Sequence, residues 1–271
     1  MREPDVSSRQ NPRFKAALAL RDARERRARR RILVDGAREI GRALDSGVQP
    51  LEGWVATERL RSDAARALLP RLAASTEVIE TTPELLARLA YGERDEGIVA
   101  VLEMPSTDLG RLAQALPKRP LVAVMERVEK PGNLGALLRS ADGAGVNAVI
   151  VADPASDIWN PNAIRASLGT IFGLPVVACA SAEALAFLRS NDIAIVAARV
   201  GASLDYDQAD LTGRVALVVG AETSGLSDAW EGRGVTPVRI PMHGLADSLN
   251  VSASAAVLFD EARRQRRAAA Q

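Results

Sequence analysis

Three segments in the second half of the sequence combine glycines with polar side chains that can hold a ligand. They cover residues 133–141, 219–225 and 240–252. Glycine lets a ligand approach the backbone closely, while asparagine, serine and charged side chains supply hydrogen bonds and charge. This combination is typical of a site that binds a ligand through loops and helix ends.

The last of these segments ends a strand, forms a loop of small residues and begins a long helix. Pro241 and Gly244 stop the strand. Ser248 and Asn250 can start the helix, because their side chains accept hydrogen bonds from its first turn. The loop between them offers backbone N–H and C=O groups to a ligand. His243 in this loop is either a proton acceptor near neutral pH or simply a loop residue.

The segment 219–225 follows an apolar strand at its carboxyl end, where α/β sheets bind ligands. Gly220 and Gly225 permit a close backbone approach, although an ordinary strand-ending turn has the same pattern. Glu222 is more informative, because a carboxylate beside a buried strand end needs a partner. Arg139 is the partner that we expect.

The segment 133–141 predicts a helix with Asn133 as its cap. Arg139 lies among apolar neighbours such as Leu137 and Leu138. An arginine in this position either extends its charged end to solvent or binds an anion, and the sequence leaves both open.

Tyr91, Trp159 and Arg165 are further candidates, since aromatic rings and guanidinium groups stack on nucleic-acid bases. The alternative for Trp159 is a core position beside a proline turn.

The charge distribution favours a polyanionic partner. The net charge of the 271 residues is only +1, but residues 1–31 contain eleven Arg or Lys against four Asp or Glu. A basic arm on a neutral body suggests a polyanionic partner, whereas a solvated Arg/Glu helix is the alternative.

Composition argues against several other classes of protein. Cys179 and His243 are the only residues of their types, so neither an intrachain disulfide nor a Cys- or His-rich metal site is expected. No apolar stretch has the length of a membrane span or the setting of a secretory signal, and a cytoplasmic protein is expected. The dinucleotide motif G-x-G-x-x-G is absent, so a cofactor would be bound by a different device.

The order of the predicted elements indicates two α/β domains. Strands and helices alternate in residues 32–104, after a basic arm at 1–31 that we expect to pack loosely. A proline-containing linker follows at 105–120. Residues 121–271 contain strands that are apolar throughout, as in a parallel sheet covered on both faces.

In this order, the three segments resemble the motifs of the SpoU/TrmH family of RNA ribose 2′-O-methyltransferases. The resemblance covers residues 121–267 and extends more weakly to 11–15 and 33–38. It implies an α/β fold with a parallel sheet and a C-terminal trefoil knot, preceded by a small α/β RNA-binding domain of ribosomal-protein type. It also implies a homodimer.

The resemblance further implies S-adenosylmethionine as the cofactor. Backbone groups at Gly220, Ile240 and Leu249 would hold it, with Ala198 and Met242 nearby. The positions that match polar active-site residues of the family are Asn133, Arg139, Glu222, Ser248 and Asn250.

By the same resemblance, the methyl acceptor is a ribose 2′-hydroxyl of RNA. We expect Arg139 to hold a phosphate and stabilise the developing alkoxide, because a guanidinium is effectively always protonated. A deprotonated Arg139 that acts as the base is the competing proposal. Ser248 and Asn250 would orient the ribose, and Glu222 would fix Arg139 or Asn133.

The expected substrate is 23S rRNA, as in relatives that confer resistance to ribosome-targeting antibiotics. A tRNA methyltransferase and a non-catalytic RNA-binding or assembly factor are the alternatives. The segment 92–97 lacks the His-Gln-Gly often found there in the family, which leaves the choice of RNA open.

A dimer is also expected from the last helix, which carries an apolar stripe that one sheet need not cover. The stripe consists of Val251, Ala255, Leu258 and Phe259.

Overall fold

The computed structural model describes residues 4–91 and 96–270. Most of the segment 92–97 therefore lies outside the described residues. The chain divides into two compact units, Met1–Pro105 with Trp159–Gly173, and Ser106–Ile158 with Leu174–Gln271.

Helices and strands follow one another along most of the chain. The chain begins with α1 (Pro12–Ala19), α2 (Ala23–Arg29), β1 (Arg31–Asp35), α3 (Ala37–Asp45), β2 (Pro50–Val55), α4 (Asp63–Ala73), β3 (Val78–Glu80), α5 (Pro83–Leu89) and β4 (Ile98–Glu103). It continues with α6 (Leu109–Ala115), β5 (Leu121–Glu126), α7 (Pro131–Ala144), β6 (Ala148–Ala152), α8 (Pro161–Ala166), α9 (Thr170–Gly173) and β7 (Val176–Cys179). It ends with α10 (Ser181–Ser190), β8 (Ala194–Ala198), β9 (Leu204–Asp205), β10 (Val215–Val219), β11 (Val235–Arg239) and α11 (Val251–Ala268).

The first unit contains a mixed four-stranded sheet in the order β1-β4-β2-β3. β4 is antiparallel to both β1 and β2, and β2 is parallel to β3. The predicted alternation of strands and helices is confirmed. The direction in which the strands pair was not part of the prediction.

The basic N-terminal segment belongs to the core of the first unit and is not a loosely packed arm. Phe14 and Leu20 are each 1% exposed, and the Phe14 ring meets Trp54 edge-on at a centroid distance of 6.3 Å. Arg26 is buried and donates hydrogen bonds to the carbonyl oxygens of Leu20 and Arg21 at 2.8 and 2.9 Å. The expectation of a loose arm was wrong, because its apolar positions face inward between the charged ones.

The segment Trp159–Gly173 groups with the first unit, although the sequence placed it in the second domain. Trp159 is buried and stacks on Phe172 at a centroid distance of 6.0 Å. Arg165 Nη1 lies 2.5 Å from Asp35 Oδ2. The core alternative is therefore confirmed for Trp159, and Arg165 forms an ion pair within the unit instead of an exposed platform for a base.

Tyr91 is half-buried, with the Arg21 guanidinium 4.2 Å from its ring centroid. One face of the ring is thus covered by a side chain of the same unit, and stacking of Tyr91 on a base stays a prediction.

The second unit is built on a seven-stranded sheet in the order β7-β6-β5-β10-β8-β11-β9. All of its neighbouring strands are parallel. Every residue of β5, β6 and β10 is buried, as expected for strands that are covered on both faces. The predicted parallel sheet is confirmed. The two-residue strand β9 was not predicted, since so short a segment carries no periodicity.

The final helix packs against α7 and β10. Its predicted apolar stripe is buried within the chain, where Val251, Ala255, Leu258 and Phe259 are each at most 5% exposed. The stripe therefore gives no argument for a dimer. The expectation of an uncovered stripe was wrong, because α7 covers the part of the helix that the sheet leaves open. The homodimer itself stays a prediction.

No helix in the described ranges combines the length and the apolar character needed to cross a bilayer.

Candidate functional site

A cleft of about 260 Å³ opens at the carboxyl ends of three neighbouring strands of the second unit. The strands are β10, β8 and β11, in that order across the sheet. The structure brings all five residues expected at the cofactor site into the lining of this cleft. They are Ala198, Gly220, Ile240, Met242 and Leu249.

The turn after β10 presents backbone to the cleft. Gly225 N donates to Ala221 O at 2.9 Å, so the turn closes on itself. A side chain at Gly220 would overlap the backbone of Gly225 and Leu226. Gly225 itself has a φ of +65°, which glycine adopts without strain. Both glycines of the predicted motif are therefore required by the geometry of this turn.

The walls of the cleft are partly apolar and open to solvent. Ile240 and Met242 are half-buried, whereas Leu249 and Val200 are exposed. Exposed apolar side chains in a concave site favour a ligand with an apolar surface of its own. Asp247, Glu222 and Arg199 add charge to the same lining.

Three of the predicted polar residues meet beside this cleft. Asn250 donates through Nδ2 to Glu222 Oε1, and the same nitrogen lies 3.4 Å from Asn133 Oδ1. Asn250 Oδ1 accepts from Ser252 N at 3.0 Å and thereby caps α11. This cap fixes the orientation of the amide, so that Nδ2 faces the other two side chains.

Lys130 joins the cluster and was missed by the sequence analysis. Its Nζ lies 3.5 Å from Glu222 Oε2. It is the N-cap residue of α7, and Asn133 lies in the first turn of that helix. The prediction that Asn133 caps the helix was wrong, because Pro131 already occupies the first helical position, which proline favours. The only feature of the sequence that could have indicated Lys130 as part of the cluster is its position three residues before Asn133.

Arg139 lies apart from this cluster. Its side chain is exposed and, in the part of the chain that the structure describes, forms no ion pair with Glu222. Six residues of an α-helix turn through about 600°, so Arg139 points about 120° away from the direction of Asn133. The predicted Glu222–Arg139 pair was therefore wrong, and Lys130 and Asn250 take that place.

Ser248 lines the cleft and is exposed. His243 lies in the loop after β11 and is also exposed; it follows Met242 but is not itself in the lining of the cleft. Ser248 thus lines the cleft, and His243 does not.

Cys179 is half-buried, and burial together with the nearby Glu183 and Asp153 raises the pKa of its thiol to about 11. Among the residues that the structure describes, no group of three or more His, Cys, Asp or Glu side chains is arranged to hold a metal ion.

Two family models match this chain. Residues 120–260 match the SpoU rRNA Methylase family, and residues 11–100 match the MRM3-like substrate binding domain. The first match contains the cleft and its polar cluster.

Individual proteins match over similar ranges. A 23S rRNA (uridine(2479)-2′-O)-methyltransferase of Streptomyces viridochromogenes is 36% identical over 268 residues, which cover 94% of this chain and 91% of the relative. The 23S rRNA (guanosine-2′-O-)-methyltransferase RlmB of Xylella fastidiosa is 37% identical over 195 residues, or 70% of this chain and 78% of the relative. The crystal structure of the SpoU methyltransferase AviRb from Streptomyces viridochromogenes, in complex with AdoMet, has a TM-score of 0.87 and 34% identity, and covers 95% of this chain and 98% of that one.

Proposed function

The chain belongs to the SpoU rRNA methylase family, and we propose that it transfers a methyl group from S-adenosylmethionine to a ribose 2′-hydroxyl of 23S rRNA. The observation that carries the proposal is one arrangement in the second unit. A cleft with an apolar wall and exposed backbone adjoins the polar cluster of Asn133, Glu222 and Asn250.

The residues of the cleft fit the cofactor. Its volume of about 260 Å³ lies just below the range of about 300–1,000 Å³ that is usual for small-ligand sites, and the cleft is open to solvent on one side. The apolar side chains of Ile240, Met242 and Leu249 suit the adenosine part, and the Gly220 turn leaves backbone groups accessible. Asp247 and Glu222 in the lining suit the positive charge of a sulfonium. When bound, the cofactor supplies an electrophilic methyl group.

The polar cluster would orient the methyl acceptor. Because the helix cap fixes the Asn250 amide, its orientation does not have to be set when RNA binds. Lys130 balances the negative charge of Glu222. Ser248, in the lining of the cleft, offers a further hydrogen bond to the ribose.

We propose that Arg139 acts from a second copy of the chain, in a homodimer. An exposed guanidinium on a different face of α7 from Asn133 cannot serve the cluster of its own chain without rearrangement. Arg139 would hold a phosphate of the target nucleotide as a bidentate clamp. An oxygen of that phosphate is the proton acceptor that we propose for the 2′-hydroxyl.

The first unit would bind the RNA. Its match to a substrate binding domain and the exposed arginines of α2 and β1 support this role. The parallel sheet, with β10 between β5 and β8 and α11 returning against α7, is the setting in which we infer a trefoil knot. With a ribosomal RNA substrate, the reaction would take place in the cytoplasm.

The experiment is incubation of the purified protein with total RNA and methyl-labelled S-adenosylmethionine. We expect label in 23S rRNA, and deproteinised and assembled subunits should be compared as substrates. Label confined to tRNA would refute 23S rRNA as the substrate and support the alternative of a tRNA methyltransferase. Calorimetric binding of the cofactor without transfer to any RNA would support the alternative of a non-catalytic RNA-binding factor.

A further inference from the structure

The segment 226–231 follows the Gly220 turn and leads from β10 toward β11. It contains a short helical turn, Asp228–Trp230, and Trp230 is fully buried in the core of the second unit. Charged side chains from two other strands bind this segment.

The first of these side chains is Glu126, the last residue of β5, which is fully buried. Its carboxylate accepts from Ser227 N at 2.7 Å, from Ser227 Oγ at 2.6 Å and from Ser181 Oγ at 2.7 Å. Burial alone raises the pKa of Glu126, but the hydrogen bonds from Ser227 and Ser181 outweigh it, so the pKa lies below its usual value. The geometry is thus that of a carboxylate held in its charged form by donors.

The second side chain is Arg199, which directly follows β8. It donates to Ser227 O at 2.7 Å, to Leu226 O at 3.3 Å and to Trp230 O at 3.4 Å. It also lies 3.0 Å from Glu231 Oε1, and its side chain is 23% exposed. One guanidinium therefore binds three carbonyl groups of the segment, those of Leu226, Ser227 and Trp230.

The two side chains approach from opposite sides of β10. In the sheet, β10 lies between β5, which carries Glu126, and β8, which precedes Arg199. Ser227 is bound from both sides, through its N–H and hydroxyl by Glu126 and through its carbonyl by Arg199. Side chains at the carboxyl ends of β5 and β8, the two strands that flank β10, thus fix the position of this residue.

This position determines the wall of the cleft. Gly225 and Leu226 pack so tightly on Gly220 that no side chain fits between them. Gly220, Ala221 and Gly225 all line the cleft. A displacement of the segment 226–231 would therefore move the backbone against which a ligand binds.

We infer that Glu126 and Arg199 are positioning residues that set the shape of the cofactor cleft by clamping the segment 226–231. Arg199 also lines the cleft itself, so Glu126, which is not in the lining, gives the cleaner test of positioning. The inference rests on the proposed function for the identity of the ligand. Buried charges cost desolvation energy, and apolar residues of similar volume often give equal or greater stability. The need to hold the turn in one defined position explains why charged side chains, and not apolar ones, occupy positions 126 and 199.

The test uses Glu126→Gln and Arg199→Lys in the full chain. Glutamine keeps the shape but loses the charge, and a lysine point charge cannot serve three carbonyl groups as a planar guanidinium does. Hydrogen–deuterium exchange without ligand should become at least about tenfold faster for the amides of residues 221–231. The calorimetric Kd for S-adenosylmethionine should rise by about tenfold, in the range expected for a weakened charged hydrogen bond. In the double variant, the loss of binding free energy for S-adenosylmethionine should be smaller than the sum of the losses in the two single variants, because both side chains act on one segment.

Asp35→Asn and Arg165→Lys are the matched controls, since they alter a buried ion pair of the first unit. They should lower thermal stability without changing the Kd. The inference is overturned if the Kd of the clamp variants stays at the wild-type value, or if it rises no more than in the controls. A wild-type protein that does not bind the cofactor would refute the proposed function itself. Unchanged exchange in residues 221–231 of the variants would refute the clamp alone.

Discussion

Arg139 lies on the same helix as Asn133 but points in a different direction, and its guanidinium is exposed. Its residue type and motif could be read from the sequence, but its partner could not. The partner of Glu222 was predicted from charge alone, and charge does not distinguish Arg139 from Lys130. What distinguishes the two is the direction of their side chains. Lys130 stands at the start of α7 beside Glu222, whereas Arg139 lies further along the helix and points away from it.

We predict that Arg139→Ala lowers the single-turnover rate of methyl transfer by about 100-fold or more, the range seen when a group that stabilises transition-state charge is removed. The Kd for S-adenosylmethionine should stay within about twofold of the wild-type value, because Arg139 is not in the lining of the cleft. Arg139→Lys should also be slow, since a point charge does not replace a bidentate clamp. Arg111→Ala, another exposed arginine of the same unit, is the control. Near-normal turnover of Arg139→Ala would contradict its role.

Asn250 has two roles that can be separated by experiment. Asn250→Ala should lower the free energy of unfolding by about 0.5–2 kcal/mol through the lost helix cap, and should also slow methyl transfer. Asn160 caps α8 in the same way, accepting from Asn162 N at 2.9 Å. Asn160→Ala should therefore destabilise without slowing transfer. Equal losses of activity in the two variants, measured at a temperature where both are folded, would assign Asn250 to the cap alone.

At the scale of elements, the second unit could be predicted better than the first. The strands β5, β6 and β10 are apolar at nearly every position, and such runs identify buried parallel strands without knowledge of their neighbours. Strand order depends on contacts between residues far apart in sequence and was not predicted. The packing of the N-terminal segment was predicted wrongly. The alternation of apolar and basic residues does not show whether Phe14 and Leu20 are buried, and in the structure both lie in the core.

The basic segment contains both exposed arginines and the buried Arg26, and only the exposed ones are expected to contact RNA. Replacement of the exposed Arg24, Arg27, Arg30 and Arg31 by Gln should weaken RNA binding and leave the cofactor Kd unchanged. Each lost phosphate contact should reduce the slope of log K against log salt by about 0.7–0.9. Arg26→Gln is the comparison, and it should lower stability instead, because Arg26 bonds two carbonyl groups inside the unit. An unchanged slope in the fourfold variant would mean that these arginines form only a solvated surface.

At the scale of the whole molecule, the proposal of a dimer depends on the location of Arg139 and no longer on the stripe of α11. The stripe is covered within one chain. The polar cluster of Asn133, Glu222 and Asn250 forms without the arginine. If Arg139 takes part in the reaction as we propose, a second chain would have to supply it.

Mixing Arg139→Ala with Glu222→Gln tests this proposal. If the arginine acts across the interface, each heterodimer has one intact site, and random mixing should restore roughly a quarter of the wild-type activity in a symmetric dimer. Failure to complement in verified heterodimers would refute the shared site, and a fully active monomer in sedimentation would refute the dimer.

The central claim is that the methyl group goes to a ribose 2′-oxygen, and alkaline hydrolysis of the labelled RNA tests it most directly. Alkali cleaves RNA through the free 2′-hydroxyl, so a 2′-O-methylated nucleotide protects the linkage that follows it. We predict that the label from wild-type protein is recovered in alkali-resistant dinucleotides of 23S rRNA, and that Arg139→Ala and Asn250→Ala greatly reduce it. Label released as mononucleotides would mean that a base is methylated, and would contradict the account.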